Sequence, residues 1–150
     1  MRETSYLKHL SHERDVVSDF LADLCNDGKW RREVQHTELV SGARGQAGAT
    51  YRETLTWEGL YAPASLLVAE VERGSRLVVV AEDPGYRAVY EYAFTGSDGG
   101  TELRLFQHVE TMGTVQLIEP FLWAMLTRWF ERDLDDIDTA IAEDESRAQA

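Results

Sequence analysis

Apolar residues recur with two different periods along this chain, and the changes of period divide it into three stretches. Residues 3–10 (ETSYLKHL) alternate loosely and predict a first strand. Ser11 then precedes His12-Glu13-Arg14-Asp15, which reads as an N-cap followed by acids in a first helical turn. Val16, Val17, Phe20, Leu21 and Leu24 follow at helical spacing, and Asn26-Asp27-Gly28 stops that helix. A second short helical piece is expected around 28–32, carrying Trp30.

From about residue 33 the period is two. Strands are expected over 33–41, 49–58, 64–72, 76–82, 86–95 and 101–111. Turns of two to five residues rich in Gly and Asp separate the later ones, so they form hairpins in an antiparallel meander. Helical spacing returns from Val115 to Ala142 as one long helix, with Trp123, Leu126, Phe130, Leu134, Ile137 and Ile141 as its apolar stripe. Pro120 sits in its first turn or kinks it. Glu131, Asp133, Asp135, Asp136 and Asp138 are expected to face outward, and the polar tail 143–150 to fray.

An antiparallel sheet with one apolar face needs a cover, and only the last helix is long enough to supply it. The predicted class is α+β: a curved antiparallel sheet, with two short N-terminal helices, wrapped around a long C-terminal helix. A helix lying across a curved sheet leaves a gap, which is the natural place for a ligand.

Composition narrows the functions. The 150 residues suit a single domain, residues 1–150, which buries roughly 70% of the surface its unfolded chain exposes. With 15 Lys and Arg against 27 Asp and Glu, the net charge of −12 argues against nucleic acid, which needs clustered cations. Cys25 is the one cysteine, and His9, His12, His36 and His108 lack a metal-ligand spacing, so neither metal nor cofactor is expected. No apolar stretch reaches the roughly 20 residues of a membrane span. Residues 1–6 lack the apolar core of a secretory signal, so the expected location is cytoplasmic. Half of the net charge lies between residues 131 and 147, where eight acids meet two arginines. It reads as the solvated side of a lid.

Candidate chemistry follows from strand parity. Tyr86, Tyr90, Tyr92 and Phe94 share one face of their strand, with Ala88 leaving space; Tyr51, Glu53, Leu55 and Trp57 share another. Rings with one polar tip suit a flat, partly oxygenated apolar molecule, although ordinary core packing explains them too. In 101–111, Leu103, Leu105, Gln107 and Val109 point inward, and the Gln107 amide must then pair with a tyrosine, a water or a ligand. His108 falls outside, near Glu110 or Arg104; only a bulge would bring it inside as a general base. Glu53 would have a raised pKa if dry, or would sit in water at the rim. Trp123, Met125, Leu126, Trp129 and Phe130 come from the helix. The candidate catalytic residues are therefore Tyr90, Gln107, His108 and Glu53. The candidate ligand-binding residues are Tyr51, Trp57, Tyr86, Tyr90, Tyr92, Gln107, Trp123, Met125, Leu126 and Phe130. Cys25 is placed at a helix C-terminus, where the dipole raises a thiol pKa. Gly42, Gly45 and Gly48 join two strands and precede no helix, so they form no phosphate loop.

Several of these segments together resemble the helix-grip superfamily, also called START-like or SRPBCC, and within it the polyketide cyclase/dehydrase-like proteins. They are Asp23-Leu24-Cys25-Asn26 with Trp30, Gly48-Ala49-Thr50-Tyr51, Glu70-Val71-Glu72-Arg73-Gly74-Ser75-Arg76-Leu77, Gly99-Gly100-Thr101-Glu102-Leu103 and the long last helix. The resemblance implies binding or transport of a hydrophobic small molecule, whether lipid, aromatic or polyketide-like, between sheet and helix. It also implies an alternative, a cyclase, aromatase or dehydratase using the same cavity. A third reading, from charge alone, is a protein-interaction module that docks a basic partner on the acidic helix. Exposed strand edges leave monomer and homodimer open.

Overall fold

The computed structural model describes residues 2–57 and 59–149, with the side chains of Trp57 and Leu60 outside the described set. Seven strands form one antiparallel sheet: β1 (Arg2–Leu10), β2 (Val34–Ser41), β3 (Thr50–Trp57), β4 (Leu60–Glu72), β5 (Arg76–Asp83), β6 (Tyr86–Ser97) and β7 (Gly100–Thr111). Their spatial order is β1-β7-β6-β5-β4-β3-β2, a six-strand meander with β1 added beside β7. Between β1 and β2 the chain therefore crosses the whole sheet, through helix α1 (Arg14–Ala22) and a 3-10 segment, Leu24–Lys29. The second expected helix is thus a 3-10 segment ending before Trp30. Helix α1 also begins later than expected. Glu13 precedes it without a side-chain cap, and the Ser11 backbone N–H donates instead to the Asp138 carboxylate at 3.0 Å.

Strand β4 starts four residues before the expected 64 and contains Pro63. Pro63 pairs with Thr54 on β3, whereas β5 joins β4 only from Ser65 onward. Its missing N–H therefore breaks no ladder on the β5 side. Register shifts in β2 and β4 mark bulges, which add twist and curl the sheet. The concave face carries Leu66, Val68, Leu77, Val79, Tyr90, Tyr92, Leu103 and Leu105, all buried.

The long C-terminal helix is three pieces. After a 3-10 segment (Gly113–Ile118) come α2 (Glu119–Asp133), a 3-10 stretch at Leu134–Asp136, and α3 (Ile137–Ala148). Pro120 lies in the first turn of α2 and does not kink it. The tighter 3-10 winding superimposes positions three apart, so Leu134 and Ile137 both face the core. The tail does not fray at 143, because α3 continues to Ala148 with mostly exposed side chains.

The acids of this helix do not simply face water. Asp133 is 1% exposed and bonded to Arg132. Lys8 holds Asp135 at 2.5 Å, Lys29 holds Asp144 at 2.6 Å, and His12 holds Asp138 at 2.9 Å. Much of the charge expected on a solvated outer face ties the Leu134–Asp136 stretch to β1, and α3 to His12 and the Leu24–Lys29 segment. Among the described residues, no helix is long and apolar enough to cross a membrane.

Candidate functional site

The curled sheet and α2 separate at one end and enclose a cavity of about 380 Å³. Leu55 on β3, Tyr86 on β6, and Leu122, Met125, Leu126 and Trp129 on α2 line it, with Tyr61, Ala62 and Asp83 around its mouth. The turn between β5 and β6 is pressed against the 3-10 segment that leads into α2. Gly85 O accepts from the Met112 N–H at 2.9 Å, and a Cβ on Gly85 would stand 2.1 Å from Val115 Cγ2. Burial holds the Asp83 carboxyl above its usual range. A smaller depression of about 260 Å³ lies on the outer face around Arg52, Leu67 and Glu82.

Behind the inner wall lies a group of polar side chains. The Tyr6 hydroxyl donates to Gln107 Oε1 at 3.1 Å, while the Gln107 Nε2 amine, fully enclosed, has no partner. Tyr90 stands opposite Gln107 in the β6–β7 register. Phe130 on α2 packs on Tyr90, Tyr6 and Trp30, with ring centroids 5.3, 6.2 and 6.3 Å away. Over the Phe130 ring, at 4.9 Å, lies the Arg31 guanidinium.

Arg31 is held between two carboxyls. Its Nη1 donates to Glu53 Oε1 at 3.2 Å and lies 3.8 Å from Asp27 Oδ2. Thr37 donates to the other Glu53 oxygen at 3.1 Å. Asp27 ionises well above the usual carboxylate range. Burial disfavours its charge, Glu53 repels a second negative charge and shares a hydrogen bond with it, and Arg31 offsets only part of this. A parallel set lies nearby, where Arg132 bridges Glu33 and Asp133. Burial likewise pushes the Tyr90 and Tyr92 hydroxyls up, with Asp27, Glu53 and Arg31 all acting on them.

No protein-family profile and no curated protein matches the chain. Solved structures do match. A protein from Thermus thermophilus superimposes with a TM-score of 0.79 at 15% identity, over 95% of this chain and 98% of that one. The Zhui aromatase/cyclase from a Streptomyces species gives 0.74 at 14%, over 99% and 96%. Ara h 8.0201 gives 0.72 at 10%, over 95% and 98%. The fold is the helix-grip fold. At these identities the likeness shows the fold of the START-like, polyketide cyclase-like proteins and nothing finer.

Within the helix-grip frame, the residues singled out from sequence divide into four groups. Tyr86, Met125 and Leu126 line the cavity. Tyr90, Tyr92, Gln107, Glu53 and Phe130 lie buried, with Glu53 1% exposed and therefore dry, not at a rim. Trp123 packs partly buried against the core. Tyr51 is occupied elsewhere: its hydroxyl accepts from the Gly45 N–H at 3.1 Å and ties down the β2–β3 turn. The Trp57 side chain lies outside the described residues. His108 is on the outer face, 3.2 Å from Glu3 on β1, because the β6–β7 register runs without a bulge. That position removes it from the interior as a general base. Cys25 sits inside the 3-10 segment, not at the end of α1, and its thiol is raised mainly by burial. In the sequence, Asp27 and Arg31 read only as a helix stop and its sequel. Their four-residue spacing beside Trp30 was the available signal.

Proposed function

We propose that this helix-grip chain binds a hydrophobic small molecule in the cavity between the sheet and α2. The observation that carries the reading is the cavity itself, about 380 Å³ and walled by Leu55, Tyr86, Leu122, Met125, Leu126 and Trp129. Its size falls in the range of small-molecule pockets, and its wall is apolar with few polar groups, as such pockets require. Native mass spectrometry of freshly purified protein, followed by titration with an apolar fluorescent dye, tests it. Wild type is expected to retain a ligand or bind the dye. Met125→Trp, which fills the cavity, is expected to lose both while unfolding at a similar temperature. Equal binding by the filled variant overturns the reading.

One observation favours a second reading, catalysis of cyclase, aromatase or dehydratase type in the same cavity. Burial and the neighbouring Glu53 carboxyl push Asp27 well above the usual carboxylate range, and a buried acid shifted in that direction is a general-acid candidate. Tyr90→Phe separates the two readings. A carrier loses affinity modestly, whereas an enzyme loses turnover of an oxygenated substrate while still binding it.

A further inference from the structure

We propose that the cavity takes an apolar ring molecule carrying an amine, with the Asp83 carboxylate receiving its cationic end. The proposal deepens the binding reading above and rests on it. Alternation along β5 puts Leu77, Val79 and Ala81 on the concave face, all buried, and Asp83 is the next residue of that set. A carboxylate therefore stands where the pattern calls for an apolar side chain. It lines the cavity together with Leu55, Leu122, Met125 and Leu126, and among the described residues it is the one charged group to do so.

Among the described residues, the Asp83 side chain has no hydrogen bond or ion pair, and burial alone holds it above its usual range. The neighbouring charges are matched on the other face, where Arg87 and Glu82 pair at 3.2 Å. An aspartate that served only the turn would cap it through its side chain. Here the backbone makes the turn: the Gly85 N–H donates to Asp83 O at 2.8 Å, and Gly85 O is tied to Met112. The main chain thus fixes the position of Asp83 and leaves its carboxylate open to the cavity.

The lining around it suits an amine on an aromatic body. Tyr86 is the cross-strand partner of Asp83, so its ring stands on the same face, and Trp129 and Tyr61 add two more rings to the cavity. Ring faces attract a cation, and a carboxylate accepts its N–H bonds. The apolar remainder of the lining takes the body of the molecule. A neutral alcohol of the same shape gains only an ordinary hydrogen bond there, and a carboxylate meets a like charge. The net charge of −12 draws cations toward the whole surface, but it does not depend on which acid is removed.

Equilibrium dialysis of 2-naphthylmethylamine, 2-naphthylmethanol and 2-naphthoate against the full chain, at neutral pH and about 0.15 M salt, tests this. Wild type is expected to bind the amine about tenfold more tightly than the alcohol, the difference between a charged and a neutral hydrogen bond, and the naphthoate most weakly. Asp83→Asn, checked for folding by thermal melting, should bring the amine down to the level of the alcohol and leave the alcohol within about twofold. Glu82→Gln, which removes the same charge from the outer face, should keep the preference. Equal binding of amine and alcohol by wild type overturns the proposal, and that comparison needs no variant. So does a folded Asp83→Asn variant that keeps the preference, or an equal loss in Glu82→Gln, which would make net charge the cause. If the alcohol binds and the amine has no advantage, the binding reading stands without this one. If none of the three binds, both fall together.

Discussion

At the scale of single residues, the interior is organised by Phe130 and by the acids behind it. Phe130 is 2% exposed and touches Tyr6, Trp30, Tyr90 and Arg31, so it joins β1, β6 and the segment before β2 to α2. Phe130→Ala would open a cavity among rings that cannot collapse into it. A loss of about 3–5 kcal/mol is expected in urea unfolding. Asp27 gives a pH signature. Its folded-state pKa stands above the unfolded one, so the folded state holds the extra proton across that window. Stability therefore falls as pH rises from about 4 through the raised value. Burial raises Asp83 and Asp133 too, in the same sense. Asp27→Asn keeps a donor toward Glu53 and should flatten the fall in unfolding free energy as pH rises above about 4. An unchanged slope would mean that Asp27 does not hold the proton.

At the scale of elements, the joint that matters lies between the C-terminal helix and the sheet edge. Asp138 accepts from the Ser11 N–H and from His12, and Glu119 accepts from Arg2 and Thr111. Burial pulls Asp138 upward, but its hydrogen bonds to His12 and Ser11 outweigh that and leave it below its ordinary value; Glu119 is lowered by Thr111 and Arg2. For carboxyls shifted down, the stabilisation is present above about pH 4 and is lost as pH falls through the folded values. Acidification should therefore loosen α3 and β1 before the middle strands, seen as earlier amide exchange in 2–10 and 137–148 than in 76–111. Simultaneous exchange in both regions would remove the latch. The stripe of this helix was legible from periodicity, since Leu126, Phe130, Leu134, Ile137 and Ile141 are all buried. Its division into pieces was not, because a change from 3.6 to 3.0 residues per turn alters apolar spacing too little to read. The outward assignment of Asp133 failed for another reason. Its partner Arg132 also reaches Glu33, about a hundred residues away in sequence.

At the scale of the molecule, strand order and facing were legible because alternation and hairpin turns are local signals. Gln107 was correctly placed inward on parity alone. The Asp27–Arg31–Glu53 cluster was not assembled, because its members lie on segments joined only by the crossing of the sheet. The net charge is a property at this scale as well. Even if every one of the 15 basic residues met an acid, 12 of the 27 acids would remain unmatched on a 17.0 kDa body. The pairs on the 3-10 stretch and α3 are contacts, with Lys8–Asp135 at 2.5 Å and Lys29–Asp144 at 2.6 Å. Exposed pairs of this kind contribute about 0–1 kcal/mol each. The repulsion among surplus acids acts over longer distances, which is where ions screen most, since the Debye length is about 10 Å at 0.1 M. Raising sodium chloride from about 0.05 to 0.5 M should therefore relieve more repulsion than attraction, and the melting temperature should rise. A fall would mean that the surface pairs outweigh the surplus, and that α3 is held mainly by its charges and not by the stripe beneath them.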